Sequence, residues 1–267
     1  KKVVLAYSGG LDTSYCLKYL KNEQGYEVHT VLINTGGFDD AELQAIEDRA
    51  YELGSAKHAN LTILDKYYDK AIKYLIFGNV LKNNTYPLSV SAERVFQAIE
   101  AIKYAKSIGA TAIAHGSTGA GNDQIRFDLI FQTIAPEIEI ITPIRDLKLS
   151  RQEEVDYLAK NGVHYSWEKA QYSINKGLWG TSIGGKETLN AKLPLPNEAY
   201  PSQLTKEGEE KVTLEFLKGE LVAVNGVADK PSNNIVVLEK LASAYAIGRD
   251  IHVGDTIIGI KGRVGFE

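Results

Sequence analysis

Residues 3–14 read Val3-Val4-Leu5-Ala6-Tyr7-Ser8-Gly9-Gly10-Leu11-Asp12-Thr13-Ser14. Val3, Val4 and Leu5 form a short apolar run that suits a strand covered on both faces. The stretch then breaks into glycines and hydroxyls and opens a helix. Gly9 and Gly10 have no Cβ atoms to hold a ligand off the backbone. Asp12, Thr13 and Ser14 are residue types that begin helices. A strand, a glycine turn and a helix N-terminus make an anion site, because N–H groups point outward and the helix dipole favours negative charge. Ser8, Thr13 and Ser14 add hydroxyl donors. No Lys follows the glycines, so this is not the G-x-x-x-x-G-K-[ST] phosphate loop, nor is it G-x-G-x-x-G.

Working outward, the strand–turn–helix rhythm repeats. Residues 12–22 read as a helix and 27–34 as a strand ending in Asn34-Thr35-Gly36-Gly37. Asp39-Asp40 begin a helix to about residue 53, closed by Gly54. Residues 59–64 read as a third strand and 65–77 as a helix. This alternation predicts an α/β fold, a doubly wound parallel sheet whose ligands gather at the carboxyl ends of the strands. Residues 82–91 are polar around Pro87 and read as a loop, with a long helix beyond to about 108. Residues 111–115 form an apolar strand that runs into His115-Gly116-Ser117-Thr118-Gly119-Ala120-Gly121-Asn122-Asp123-Gln124, a third glycine turn. A helix over 126–133 and a strand over 137–142 follow; Ser150 and Glu153 then make the capping box of a helix to about 161.

Near Ser166 the rhythm stops, which sets domains at 1–165 and 166–267, the second a smaller α+β unit. Residues 172–182, with Ile183-Gly184-Gly185, read as a ligand-facing loop. Residues 192–202 hold three of the seven prolines and read as an extended, mobile connection. Residues 212–216, 221–224 and 257–260 are strand-like, and 232–246 suit strand or helix.

The 267 residues, 44% apolar and 24% charged, fit one large globular domain or two modest ones. A net charge of −4 argues against a nucleic-acid partner, which needs a basic face. No apolar run approaches the roughly 18 residues of a membrane span, and no signal peptide precedes the first strand. Cys16 is the single cysteine, so an internal disulfide is excluded and a reducing cytoplasm fits; its place on the first helix suits packing. There is no Met, so the ends given need not be the native ends.

Ser8-Gly9-Gly10-Leu11-Asp12-Thr13-Ser14 resembles the pyrophosphate loop of the ATP pyrophosphatases, which cleave ATP between the α and β phosphates. Residues 6–14, the His115 to Phe127 stretch and Ser173 with Leu178-Trp179-Gly180-x-Ser182 together resemble the argininosuccinate synthases. The resemblance runs from the first residue to the last. It implies an adenine-nucleotide α-hydrolase-like domain followed by a synthetase domain. It also implies a cytoplasmic homotetramer of arginine biosynthesis that ligates citrulline and aspartate at the expense of Mg-ATP, giving AMP and pyrophosphate. Chains of that family continue into a C-terminal arm, so this chain is expected to be incomplete at that end.

The resemblance assigns Ala6, Tyr7, Ser8, Gly9, Gly10, Leu11, Asp12, Thr13 and Ser14, with Ile33 and Gly116, to ATP. It assigns Thr118, Asn122 and Asp123 to aspartate, and Tyr86, Ser91, Asn122, Arg126, Ser173 and Ser182 to citrulline. Asp12 is the expected Mg²⁺ ligand, and Asp12 and Arg126 are the expected catalytic residues. A fixed guanidinium such as Arg126 suits bidentate capture of a carboxylate, and Asp123 can hold an ammonium group. His115, at a strand end, is read as packed or hydrogen-bonded, with no proton transfer assigned to it.

Three departures concern the substrate. Ala120 stands where the family commonly has Lys, and Asn175-Lys176-Gly177 replace an Asp-x-Asn pattern. Gly254 and Phe266 stand where the family carries a Glu and a Tyr that contact citrulline. These leave open an N-acylated citrulline as substrate, or a role for Asp255 in holding the amino group. Another ATP pyrophosphatase would need an ammonia source, reactive cysteines or a basic RNA face. A noncatalytic nucleotide-binding module would not need Tyr86, Ser91, Asn122 and Arg126.

Overall fold

The computed structural model describes residues 1–165, 167, 172–255, 259 and 261–267. The chain runs β1 (Lys2–Ala6), α1 (Leu11–Asn22), β2 (Glu27–Asn34), α2 (Asp40–Glu52) and β3 (Lys57–Thr62). The helix expected over 65–77 is α3 (Leu64–Tyr67) and α4 (Lys73–Phe77), joined by a π turn over Tyr68–Ile72. Next come α5 (Ser89–Ser107), β4 (Ala112–Ala114), α6 (Asp123–Ile134), β5 (Glu139–Ile141), α7 (Pro143–Leu147) and α8 (Arg151–Lys160). The rest is β6 (Ser173–Gly177), β7 (Gly180–Gly184), β8 (Leu214–Leu217), β9 (Glu220–Val224), β10 (Val227–Ala228), α9 (Pro231–Ser243), β11 (Asp250–Asp255) and β12 (Lys261–Phe266).

Two compact units result: residues 1–34, 38–62 and 93–169, and residues 35–37, 63–92 and 170–267. Residues 35–37 and 63–92 thus pack with the C-terminal part, although they precede the boundary at 165/166 expected from the sequence.

The first unit holds a parallel sheet of order β3-β2-β1-β4-β5. Val3, Val4 and Leu5 are fully buried in its middle, as a strand covered on both faces requires. Chain order reverses between β1 and β4, and an open sheet of this kind binds ligands at such a switch point. Asp39 with Glu42 and Ser150 with Glu153 form capping boxes for α2 and α8. α1 differs from expectation: it starts at Leu11 with Gly10 at its N-cap and no side-chain cap, so Asp12 and Thr13 lie inside its first turn.

The second unit has an antiparallel sheet of order β11-β12-β7-β6 and a smaller one of order β10-β9-β8 against which α9 packs. The expected loop over 172–182 is a β-hairpin, β6 with β7, closed by Leu178 and Trp179. Three glycines, two serines, an Asn and a Lys interrupt the β-branched signal that marks strands. The Leu178 N–H donates to Thr35 O (2.8 Å) and the Trp179 indole N–H to Pro87 O (2.8 Å). Residues 192–202 are packed rather than loose: Leu195, Ala199 and Tyr200 form a small core with Ile183 of β7. The span 232–246 is mostly helix α9. The strand expected over 257–260 lies largely outside the described residues.

A Cβ at Gly37 would collide with the carbonyl oxygen of Lys176 in the hairpin, whereas one at Gly184 meets nothing within 4 Å. Gly37→Ala should therefore lower unfolding stability by about 1–3 kcal/mol. Gly184→Ala should leave it within about 0.5 kcal/mol. Urea unfolding of both variants checks this, and equal midpoints would contradict it.

Candidate active site

The turn after β1 is built around Gly9. Its φ of +75° lies where side chains are rarely tolerated, and a Cβ there would stand 3.1 Å from Ile46 Cγ1. Arg49 Nη1 donates to Gly9 O at 2.7 Å and fixes the turn. Ser8 and Gly10 are exposed, Asp12 and Thr13 half-buried, and Tyr7, Leu11 and Ser14 buried beneath them. The hydroxyls of Ser8 and Thr13 lie 3.4 Å apart, and Thr13 also donates to Gly10 O at 3.3 Å. Ala6 ends β1, and Ile33, 7% exposed, sits near the end of β2. The glycine turn expected from the sequence is thus present, with the hydroxyls of Ser8 and Thr13 toward its surface; the hydroxyl of Ser14, expected as a further donor, is buried with Tyr7 and Leu11.

The turn after β4 meets it. A Cβ on Gly116 would lie 3.2 Å from Asp12 Cβ and 3.3 Å from Thr13 N, so a glycine lets the two turns close on each other. A buried relay holds this second turn. The Ser117 N–H donates to His115 Nδ1 (3.2 Å), which leaves Nε2 to donate to Asp128 Oδ1 (2.9 Å). Arg145 Nη1 donates to Asp128 Oδ2 (2.6 Å) and to Gln124 Oε1 (3.0 Å), and Gln124 donates to Gly119 O. Burial alone would raise the Asp128 pKa; hydrogen bonds from His115 and Arg145 outweigh it and hold the carboxyl below its usual range. His115 is packed and hydrogen-bonded, as expected from the sequence.

Asp12 has a partner the sequence did not reveal. Glu154 of α8 is 3% exposed, and its carboxyl feels the charge of Asp12. Burial, then the neighbouring Asp12 charge, pushes the Glu154 pKa up to about 8. Burial also raises Asp12 above the usual range. Glu154 Oε2 is buried without a partner among the described residues. The signal was hidden because Glu154 lies 142 residues beyond Asp12, inside an unremarkable amphipathic helix.

At the start of α6, Asp123 lies between two guanidinium groups, Arg94 Nε at 3.0 Å and Arg126 Nη1 at 2.8 Å. Burial would raise its pKa, but the charges of Arg94 and Arg126 prevail and hold it low. Arg94 also contacts Glu93 (3.2 Å) and Gln97 (2.7 Å), and Gln97 reaches Ile33 O at 3.5 Å. Thr118 is exposed, and Asn122 occupies the N-cap of α6. Arg94 was not anticipated as a site residue; its one signal is its place a single helical turn after Ser91.

The remaining predicted residues fall on the second unit. The Tyr86 hydroxyl accepts from the Val90 N–H (3.1 Å) and from Ser89 Oγ (3.4 Å), and Ser91 Oγ donates to Leu88 O (3.1 Å). In the sheet register Ser173 pairs with Gly184, Asn175 with Ser182, Ser182 with Phe266, and Phe266 with Asp250. Paired residues share a face, so Ser173 and Ser182 lie on the same face as Phe266 and Gly254. Ser182 is 6% exposed, and Ser173 is exposed.

Residues 2–164 match the family described as the arginosuccinate synthase N-terminal HUP domain, and residues 172–267 the arginosuccinate synthase C-terminal domain. The chain belongs to the argininosuccinate synthase family. It is 39% identical over 267 residues to the argininosuccinate synthase of Methanocaldococcus jannaschii, which covers 99% of this chain and 67% of the relative. It is 39% identical over 280 residues to that of Xylella fastidiosa and 38% over 267 to that of Sulfolobus acidocaldarius, each match covering all of this chain and 68% of the relative. The HUP match agrees with the parallel sheet, and the C-terminal match begins where that rhythm ends.

The relay through Asp128 has a testable pH signature. Its folded pKa is depressed, so it contributes stability that is present above about pH 4 and lost as pH falls through the folded value. Asp128→Asn should cost about 1.5–3 kcal/mol at pH 7, and the gap from the unmodified protein should narrow below about pH 4. Thermal unfolding across pH 3–8 checks this; a gap independent of pH would contradict it.

Proposed function

We propose that the protein is an ATP-dependent carbon–nitrogen ligase that joins citrulline to aspartate, releasing AMP and pyrophosphate. The observation that carries this reading is the pairing of a pyrophosphate-type turn, Ser8 to Ser14, with the carboxylate-handling set Asp123, Arg94 and Arg126 in the same unit. A module that only held a nucleotide would have no use for that set.

The ureido oxygen of citrulline attacks the α-phosphorus of ATP in line, the α–β phosphoanhydride bond breaks, and pyrophosphate leaves with its electron pair. The amine of aspartate then attacks the ureido carbon of the citrullyl-adenylate, AMP departs with the former ureido oxygen, and the amine loses a proton. Backbone N–H groups of the Gly9–Gly10 turn and the hydroxyls of Ser8 and Thr13 would take the departing pyrophosphate, so charge stabilisation and positioning carry the step. Arg126, held by Asp123, would orient a carboxylate, and the remaining lone pairs of Asp123 would receive the aspartate ammonium. Adenylation supplies the leaving group, so no protein nucleophile is required.

Among the described residues no set of three or more His, Cys, Asp or Glu is placed to hold a metal ion. Mg²⁺ in nucleotide sites needs only one or two carboxylates with phosphates and water, and the half-buried Asp12 beside the glycine turn is a donor of that kind. Bound there, Mg²⁺ would neutralise charge on the triphosphate. A cytoplasmic homotetramer completes the proposal: the single, buried Cys16 supports the compartment, and the family resemblance alone supports the assembly.

Asp12→Ala should abolish pyrophosphate release while circular dichroism stays unchanged; near-normal turnover with the same Mg²⁺ dependence would contradict the assignment. Asp123→Ala should raise KM for aspartate at least about tenfold, since a lost charge-assisted contact is worth about 1.5–3 kcal/mol. KM for ATP should move little. An equal rise for all three substrates would make Asp123 a purely structural residue.

A further inference from the structure

His252 of β11 is 5% exposed, and neither of its ring nitrogens has a hydrogen-bond partner among the described residues. A neutral imidazole has one donor and one acceptor, and burying both unpaired is costly. Its surroundings are aromatic. The ring packs edge-on to Phe266 with centroids 5.1 Å apart, and tilted against Tyr86 at 5.7 Å. Tyr86 and Phe266 in turn stand perpendicular at 6.4 Å.

The register places His252 functionally. Asp250 pairs with Phe266 and Phe266 with Ser182, so strand alternation puts His252 on the sheet face that carries Ser173, Ser182, Gly254 and Phe266. The opposite face is the small core of Ile183, Leu195, Ala199 and Tyr200. On the β11 and β12 positions of the first face, Gly254 and Gly262 have no side chains and Val264 and Phe266 have no polar atoms. The Asp250 carboxylate accepts from the N–H of Ile251 at 2.7 Å. His252 is therefore the side chain on that part of the face whose hydrogen-bonding capacity is wholly unused.

We propose that His252 is a substrate-contact residue that donates a hydrogen bond to an acceptor oxygen at the amino-acid end of the citrulline-type substrate. This rests on the ligase reading above. The acceptor is either the α-carboxylate of free citrulline or the carbonyl of an N-acyl group, which the side-chain-free Gly254 on the same face would leave room for. The two share one chemistry, a donor N–H on a buried oxygen, and differ in which substrate is preferred.

The test is calorimetric titration of citrulline and, separately, N-acetylcitrulline into the full chain, with His252→Phe and His252→Gln beside the unmodified protein. Phe fills the ring's volume without polar atoms. His252→Phe should weaken binding of the preferred compound about tenfold or more. It should leave ATP binding and the melting temperature without ligand unlowered, because it removes buried unpaired atoms. Gln restores a donor and should recover part of the affinity. Preference for citrulline identifies the carboxylate, and preference for N-acetylcitrulline identifies the acyl carbonyl. Unchanged affinity in His252→Phe overturns the proposal, as does a lower melting temperature with no specific binding loss, or binding of neither compound to the unmodified protein. Tight, His252-dependent binding without product formation would instead leave His252 in place and refute the ligase reading.

Discussion

Close approach of two strand-end turns is the constraint on which the first unit depends. Gly116 brings the turn after β4 to within 3.2 Å of Asp12, as measured to the Cβ it lacks. A larger residue would hold the turns apart and separate the Gly9–Gly10 amides from the β4 turn. Sheet order makes the approach possible, because β1 and β4 are neighbours on either side of the reversal in strand order. The turns are then locked from opposite directions, one by Arg49 on Gly9 O and the other by the His115–Asp128–Arg145 relay. Rigid turns matter here, since a reaction run by positioning loses rate with small misplacements.

Charge is distributed to match. Near the glycine turn after β1, burial and the Asp12 charge raise the pKa of Glu154. At the start of α6 two guanidinium groups, Arg94 and Arg126, face the carboxylate of Asp123, and Arg94 also meets the buried Glu93. Both patterns come from residues far apart in sequence that the sheet gathers at one end of its strands.

That distance sets what could be read beforehand. The parallel sheet was legible because strand-like runs alternate with helices and three of them, β1, β2 and β4, run into glycine turns, all local signals. The capping box at Ser150 and Glu153 was legible for the same reason. Glu154, Arg94 and Asp128 carry no local mark; their meaning lies in partners that only the fold supplies. The β6–β7 hairpin was missed because Ser, Asn, Lys and Gly give weak strand signals, and its stability comes from Thr35, Gly37 and Pro87 beneath it. His252 lies in β11, a strand not read from the sequence, and the register shows which face it shares.

The central claim is that citrulline's own oxygen, activated by adenylation, leaves with AMP. Citrulline labelled with ¹⁸O in the ureido group, incubated with ATP, aspartate and the protein, tests it by mass spectrometry of the AMP formed. The account predicts one ¹⁸O in the AMP phosphate for each argininosuccinate made. Unlabelled AMP accompanying argininosuccinate, or AMP release that does not require citrulline, would contradict it.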